Sequence, residues 1–164
     1  MIDEKTIIEI IKQGRLNCYV KKSPEENPYN PGQIYNWGFE MPVGRYLYTD
    51  SYRGFNPYSG VEYIKDNDPV PIWSCDYVGY AKATDAIPEE QIYNFLKRTR
   101  GSHLSSDIRN FFHNYSATEG DLDYLSAFSG DLKGLLQTEE IFYRGILIFR
   151  QVSAGRLTLE RVRG

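Results

Sequence analysis

Apolar residues recur at Ile7, Ile8, Ile10 and Ile11, the spacing of a helix with one buried face. Asp3 and Glu4 stand at its positive end and Gly14 follows as a stop, so residues 3 to 13 are expected to be helical. From Leu16 to Pro42 the periodicity disappears. This stretch carries four prolines and four asparagines and predicts loop, apart from a short strand around Cys18 to Lys21. Alternation with a period of two then marks three strands, Tyr46 to Tyr52, Val61 to Lys65 and Val70 to Ala81. The second and third are separated by the turn-forming Asp66-Asn67-Asp68-Pro69. A second helix is predicted over 88 to 98, opened by Pro88, Glu89 and Glu90. Residues 101 to 120 are polar and read as a connection with a short helix around Asp107 to Phe112. Strand patterns return at Leu122 to Phe128, Glu139 to Tyr143 and Ile146 to Ser153, the last two joined at Arg144-Gly145.

The two halves align. Ile7, Ile10 and Ile11 match Ile92, Phe95 and Leu96, and Tyr48, Tyr52 and Gly54 match Tyr124, Phe128 and Gly130. Glu62 matches Glu139, and Ile72 and Gly79 match Ile148 and Gly155. The expected architecture is therefore a single α+β domain spanning 1–164. Two helix-plus-three-strand repeats, 3–81 and 88–155, form an antiparallel sheet with both helices packed on it. Ile7, Ile10, Ile11, Ile72, Ile92, Phe95, Leu96, Ile148 and Phe149 form the expected core. Between abutting halves the sheet face turned away from the helices is expected to leave a groove, as in the duplicated gyrase-inhibitor-like drug-binding domains.

Composition narrows the function. A chain of 164 residues, 41% hydrophobic and 25% charged, suits one folded domain. It contains no apolar run near the length of a membrane span, and "MIDEKTIIEI" lacks the basic start of a secretory signal, so a cytoplasmic protein away from membranes is expected. The formal net charge of -3 and dispersed basic residues argue against nucleic-acid binding by this chain alone. Cys18 and Cys75 are expected to be free buried thiols, and His103 and His113 are too few to suggest a metal site. No metal or other cofactor is expected.

The strongest compositional signal is the 14 tyrosines, densest in "DSYRGFNPYSGVEYI", residues 50 to 64. Asp50, Glu62 and Asp76 lie on strands that can bring carboxylates together. Their bland alternative is pairing with arginines such as Arg45 or Arg53. Tyr48, Asp50, Tyr52, Glu62, Trp73, Tyr77 and Glu139 are the candidate ligand-binding residues, a negative cleft walled by rings that suits a small aromatic or cationic molecule.

The runs "YLYTDSYRG", "YSGVEYI", "PVPIWSCDYVG" and "GDLKGLLQTEEIFYRGILIFRQVSAG" resemble the bacterial domain of unknown function 5680 from the first helix to about Leu159. The resemblance implies no particular activity. Some relatives resemble C-terminal partners of helix-turn-helix domains, which implies a sensory role, although here the first helix begins almost at Met1 and no such partner is expected ahead of it. Three functions follow in order: a non-enzymatic small-molecule-binding or sensor domain; a protein-interaction module of regulatory or immunity type with a protein partner; and a hydrolase-like enzyme using Asp50 and Glu62. The balance of these readings is against catalysis.

Overall fold

Asp3 accepts hydrogen bonds from the Thr6 amide (2.9 Å) and the Thr6 hydroxyl (2.7 Å), capping the first helix, α1 (Glu4–Arg15). The computed structural model describes residues 2–32, 34–106 and 111–158. Directly after α1 the chain widens into a π-helical turn, Leu16–Val20, where the predicted short strand fails. The amide of Lys21 reaches back to the carbonyl of Leu16 (3.0 Å), so the backbone bulges while keeping its hydrogen bond. The bulge carries Cys18 and Tyr19.

Nine antiparallel strands follow around a second helix. They are β1 (Asn30–Pro31), β2 (Trp37–Val43), β3 (Tyr46–Gly54), β4 (Tyr58–Lys65), β5 (Trp73–Ala81), then α2 (Glu89–Ser106), β6 (Tyr115–Glu119), β7 (Leu122–Asp131), β8 (Gly134–Tyr143) and β9 (Ile146–Leu157). They form one sheet in the order β1-β2-β3-β4-β5-β9-β8-β7-β6. The expectation of two helix-plus-three-strand repeats with both helices packed on a sheet is thereby corrected. Each helix is followed by a meander of at least four strands, and β5 pairs with β9 from Trp73↔Leu157 to Ala81↔Phe149, merging everything into a single continuous sheet.

The miscounted strands have a physical explanation. β2 contains Gly38 and Pro42 and lies in the proline-rich stretch, yet β1 covers it only at Trp37 and Gly38. Pro42 thus sits on an open edge, where a missing N–H costs no ladder bond. β6, Tyr115–Glu119, is the opposite edge and has apolar residues on neither face in any regular pattern. The third strand begins at Trp73 rather than Val70, because Asp68 accepts from the Val70 amide and holds the turn. The hairpin at Arg144-Gly145 forms with both residues in the left-handed region, φ 49° and 79°, as a two-residue turn requires.

The core is in two clusters on one sheet face. Ile7, Ile10 and Ile11 of α1 gather with Tyr48, Ile64, Ile72 and Trp73, while Ile92, Phe95 and Leu96 of α2 gather with Tyr124, Ile141, Ile148 and Phe149. All nine expected core residues are buried. α1 approaches β3 so closely that a Cβ on Gly14 would stand 2.5 Å from the Tyr48 ring. α2 runs eight residues past its expected end at Arg98. Thr99 and His103 extend its buried stripe, and Gly101 lets it pass the π-helical turn, with Val20 Cγ1 3.0 Å from where a Cβ would be. The expected short helix at Asp107 to Phe112 falls mostly outside the described residues. No helix among the described residues is long and apolar enough to cross a membrane.

Candidate functional site

The two helices do not meet over the centre of the sheet. Between α1 with its π-helical turn, α2, and the β3-β4-β5-β9-β8 strands lies a cavity of about 900 Å³. Its floor is the helix-covered face. The groove anticipated on the other face is corrected accordingly: side chains two residues apart on a strand share a face, so Asp50, Glu62 and Tyr77 point the same way as the core residues Tyr48, Ile64 and Cys75.

The floor holds two arginine–glutamate pairs. Arg15, the last residue of α1, donates from Nε to both oxygens of Glu62 (3.1 and 3.0 Å), from Nη2 to Glu62 Oε2 (2.9 Å) and from Nη1 to Gln137 Oε1 (3.1 Å). Arg100 of α2 grips Glu139 with two bonds of 2.7 Å, and its Nη2 also reaches Gln151 Oε1 at 2.7 Å. Tyr124 donates a further 2.6 Å bond to Glu139, and Tyr58 donates to Gln151 (2.7 Å). Burial alone would raise the Glu139 carboxyl, but the Arg100 charge and its hydrogen bonds bring it below the ordinary value. Both pairs are the fork-on-carboxylate kind that fixes geometry as well as charge.

Asp50 is different. It is buried, opposite Glu62 in the β3–β4 register, and its oxygens accept from the hydroxyls of Tyr29 and of Tyr77 (2.7 Å). Burial first, and then the neighbouring Glu62 charge, raise its pKa to about 6. Two glycines make room for the rings around it. A Cβ on Gly60 would be 2.4 Å from the Tyr77 ring, and one on Gly79 would be 2.5 Å from the Tyr58 ring. At the rim Lys22 lies over the faces of Tyr29 and Tyr52 (4.6 and 5.4 Å) and donates to the Tyr52 hydroxyl. Tyr93, Phe55 and Tyr58 form another aromatic wall.

Of the seven residues expected from the sequence, Asp50, Tyr52, Glu62, Tyr77 and Glu139 line this cavity. Tyr48 and Trp73 do not. Both are fully buried core, and the Tyr48 hydroxyl and Trp73 Nε1 lack hydrogen-bond partners. Asp76 is exposed on the opposite face, so the three carboxylates do not converge. Neither Arg45 nor Arg53 neutralises the floor: Arg45 lies over Tyr46 and Arg53 bonds Ser59. The residues missed were Arg15, Arg100, Tyr29, Tyr58, Gln137, Gln151 and His103. A signal for two existed, because Arg15 and Arg100 stand at the same distance from the already aligned Ile7 and Ile92.

His103 is 3% exposed and lines the same cavity, its ring stacked on Tyr115 (4.6 Å between centroids). Burial and then the adjacent His113 lower its pKa to about 4, so the imidazole is neutral near pH 7. Cys18 and Cys75 are free and buried, and burial pushes the Cys75 thiol up to about 12, away from thiolate reactivity. Among the described residues no cluster of three or more His, Cys, Asp or Glu side chains is placed to hold a metal ion.

With Glu62 tied by three bonds to Arg15, the Asp50–Glu62 pair offers one engaged carboxylate and one held by tyrosines. The arrangement is suited to recognising a molecule by shape, ring contacts and hydrogen bonds. No curated protein and no solved structure matches the chain. One family model, described as a domain of unknown function (DUF5680), matches residues 50–157, from the middle of β3 to the end of β9, and the chain belongs to that family.

Proposed function

We propose that the protein is a non-enzymatic small-molecule-binding domain of the kind that serves as a sensor. The observation that supports this is the cavity itself. A space of about 900 Å³ is of the size that accommodates cofactors and drug-sized ligands, and it combines aromatic walls with a few fixed polar groups. Its polar groups are preorganised by each other, and such a site binds without having to order itself first. Native mass spectrometry of the protein purified from its own host, without refolding, tests this. A retained mass of a few hundred daltons, lost on denaturation, supports the reading. A protein with no retained mass and no thermal stabilisation by any member of an aromatic small-molecule library would overturn it.

A second reading, a protein-interaction module, is favoured by the uncovered sheet face. Val78, Leu125, Leu136 and Val152 are all exposed there, with Val78 paired directly opposite Val152. Single exposed apolar residues are ordinary, but neighbours on adjoining strands form a patch that a partner could cover. Charged substitutions at Val78 and Val152 that abolish a stoichiometric complex while leaving the fold intact would favour this reading over the first.

A further inference from the structure

We propose that the cavity takes a small aromatic molecule carrying one positive charge, an amine or amidine, with Asp50 as its counter-ion. The inference rests on the cavity being a binding site and adds the charge of what it binds.

The polar groups of the cavity that remain open decide the charge of an occupant. Each buried arginine already holds a glutamate carboxylate and a glutamine, so its charge is largely offset within the floor. Among the described residues Asp50 makes no ion pair; its oxygens are met only by the Tyr29 and Tyr77 hydroxyls. A carboxylate has about four lone-pair positions, so two donors leave it able to accept more. Glu62 on the next strand adds negative potential at the same point.

His103 supplies an independent observation. Its Nε2 is buried without a hydrogen-bond partner, while the ring's other contact is with the Phe111 carbonyl. A neutral imidazole that gives its proton to a carbonyl presents a bare nitrogen on its other side, which accepts and does not donate. This tautomer is assigned from that contact. Asp50 and the His103 Nε2 are therefore both acceptors, carried by residues that line the cavity. The faces of Tyr52, Tyr58 and Tyr77 add the quadrupole attraction that aromatic walls exert on cations. The lysines of the lining, Lys22 and Lys97, lie over Tyr29, Tyr52 and Tyr19, so in the floor a carboxylate or phosphate would meet the Asp50 charge, with which an aromatic monocation would pair.

Titration of Asp50 is set by groups on every side of it: Glu62 from β4, Arg15 from α1, Cys18 from the π-helical turn, Tyr29 from the loop before β1, Tyr77 from β5 and Tyr48 on its own strand. Protonation of the carboxyl removes the counter-ion.

Three acridines of nearly equal shape test the proposal by fluorescence titration of the whole chain: aminoacridine as cation, acridone as neutral, acridine carboxylate as anion. At about pH 7.5 aminoacridine is expected to bind about tenfold or more tighter than acridone, with the carboxylate weakest. Asp50→Asn should bring aminoacridine to within about twofold of acridone while leaving acridone unchanged. In wild type the same loss should follow acidification to about pH 5, and Asp50→Asn should show no such loss. If acridone binds and aminoacridine has no advantage, or the advantage survives Asp50→Asn, the cation proposal falls while the cavity stands as a binding site. If none of the three binds at millimolar concentration, the cation proposal falls, and the binding-site reading is then decided by the retained mass and the library screen.

Discussion

Arg15 and Glu62 are buried together, and a buried charge is tolerated only while its partner is present. Glu62→Gln or Arg15→Met alone is expected to cost about 3–5 kcal/mol in urea denaturation, whereas the double change Arg15→Met/Glu62→Leu should recover a large part of that loss. Tyr48 makes the opposite case: its hydroxyl is buried with no partner, so Tyr48→Phe should stay within about 0.5 kcal/mol of wild type or exceed it. Acid titration separates the two unusual groups of the cavity. Asp50, raised to about 6, favours the fold in its protonated form, so its contribution is present at low pH and lost as pH rises through 6. His103, lowered to about 4, works the other way. Its unfolded form takes up a proton near 6.5 and the fold loses stability as pH falls toward 4. Between pH 7.5 and 5 the two oppose each other and the wild-type melting temperature should change little. Asp50→Asn should gain about 1–3 kcal/mol at pH 8. It should also expose the His103 slope, falling in stability as the solution is acidified. A wild-type profile as steep as that of Asp50→Asn would contradict this pairing.

At the scale of elements, packing decides what pattern alone leaves open. The helical stripes at Ile7–Ile11 and Ile92–Leu96 and the central strands were legible because each buries one face and so carries its period openly. β2 and β6 were not, since an edge strand can hold proline, glycine and polar residues without losing a ladder. The extra turns of α2 depend on Gly101 meeting Val20, a contact between segments far apart in sequence. The acidic half of the site was legible for the same reason as the strands, its residues lying within an alternating run. The basic half was not, although Arg15 and Arg100 repeat one spacing from Ile7 and Ile92, because a single arginine carries no period to show which side chain it meets. Gly60 and Gly79 show how closely the sheet is fitted to its tyrosines, each leaving the space that a ring from the neighbouring strand fills. Gly60→Ala should push Tyr77 from Asp50 and cost about 1–3 kcal/mol, measurable by denaturation. Gly134→Ala, where nothing lies within 4 Å, should fall within about 0.5 kcal/mol of wild type.

For the whole molecule, the β5–β9 ladder is the one strand pairing among the described residues that joins the first meander to the second. The cavity lies directly above it, with Asp50, Glu62 and Tyr77 contributed by one side and Glu139 and Gln151 by the other. A ligand at a hundred times its dissociation constant should add about 2.7 kcal/mol of stability. In hydrogen exchange the amides of β5 and β9 should slow by more than those of the outer strands β2 and β6; uniform slowing would mean the molecule binds elsewhere.

If the domain is the sensor proposed above, that ladder also sets what kind of message it can carry. The two meanders share that one ladder, and Arg15 with Gln137 is a tether thrown across it from the first helix to the second meander. An occupant seated over the ladder and touching both meanders would add further ties across it. For a sensor of that kind, occupancy would be announced as stiffness along the seam, read as slower hydrogen exchange in β5 and β9.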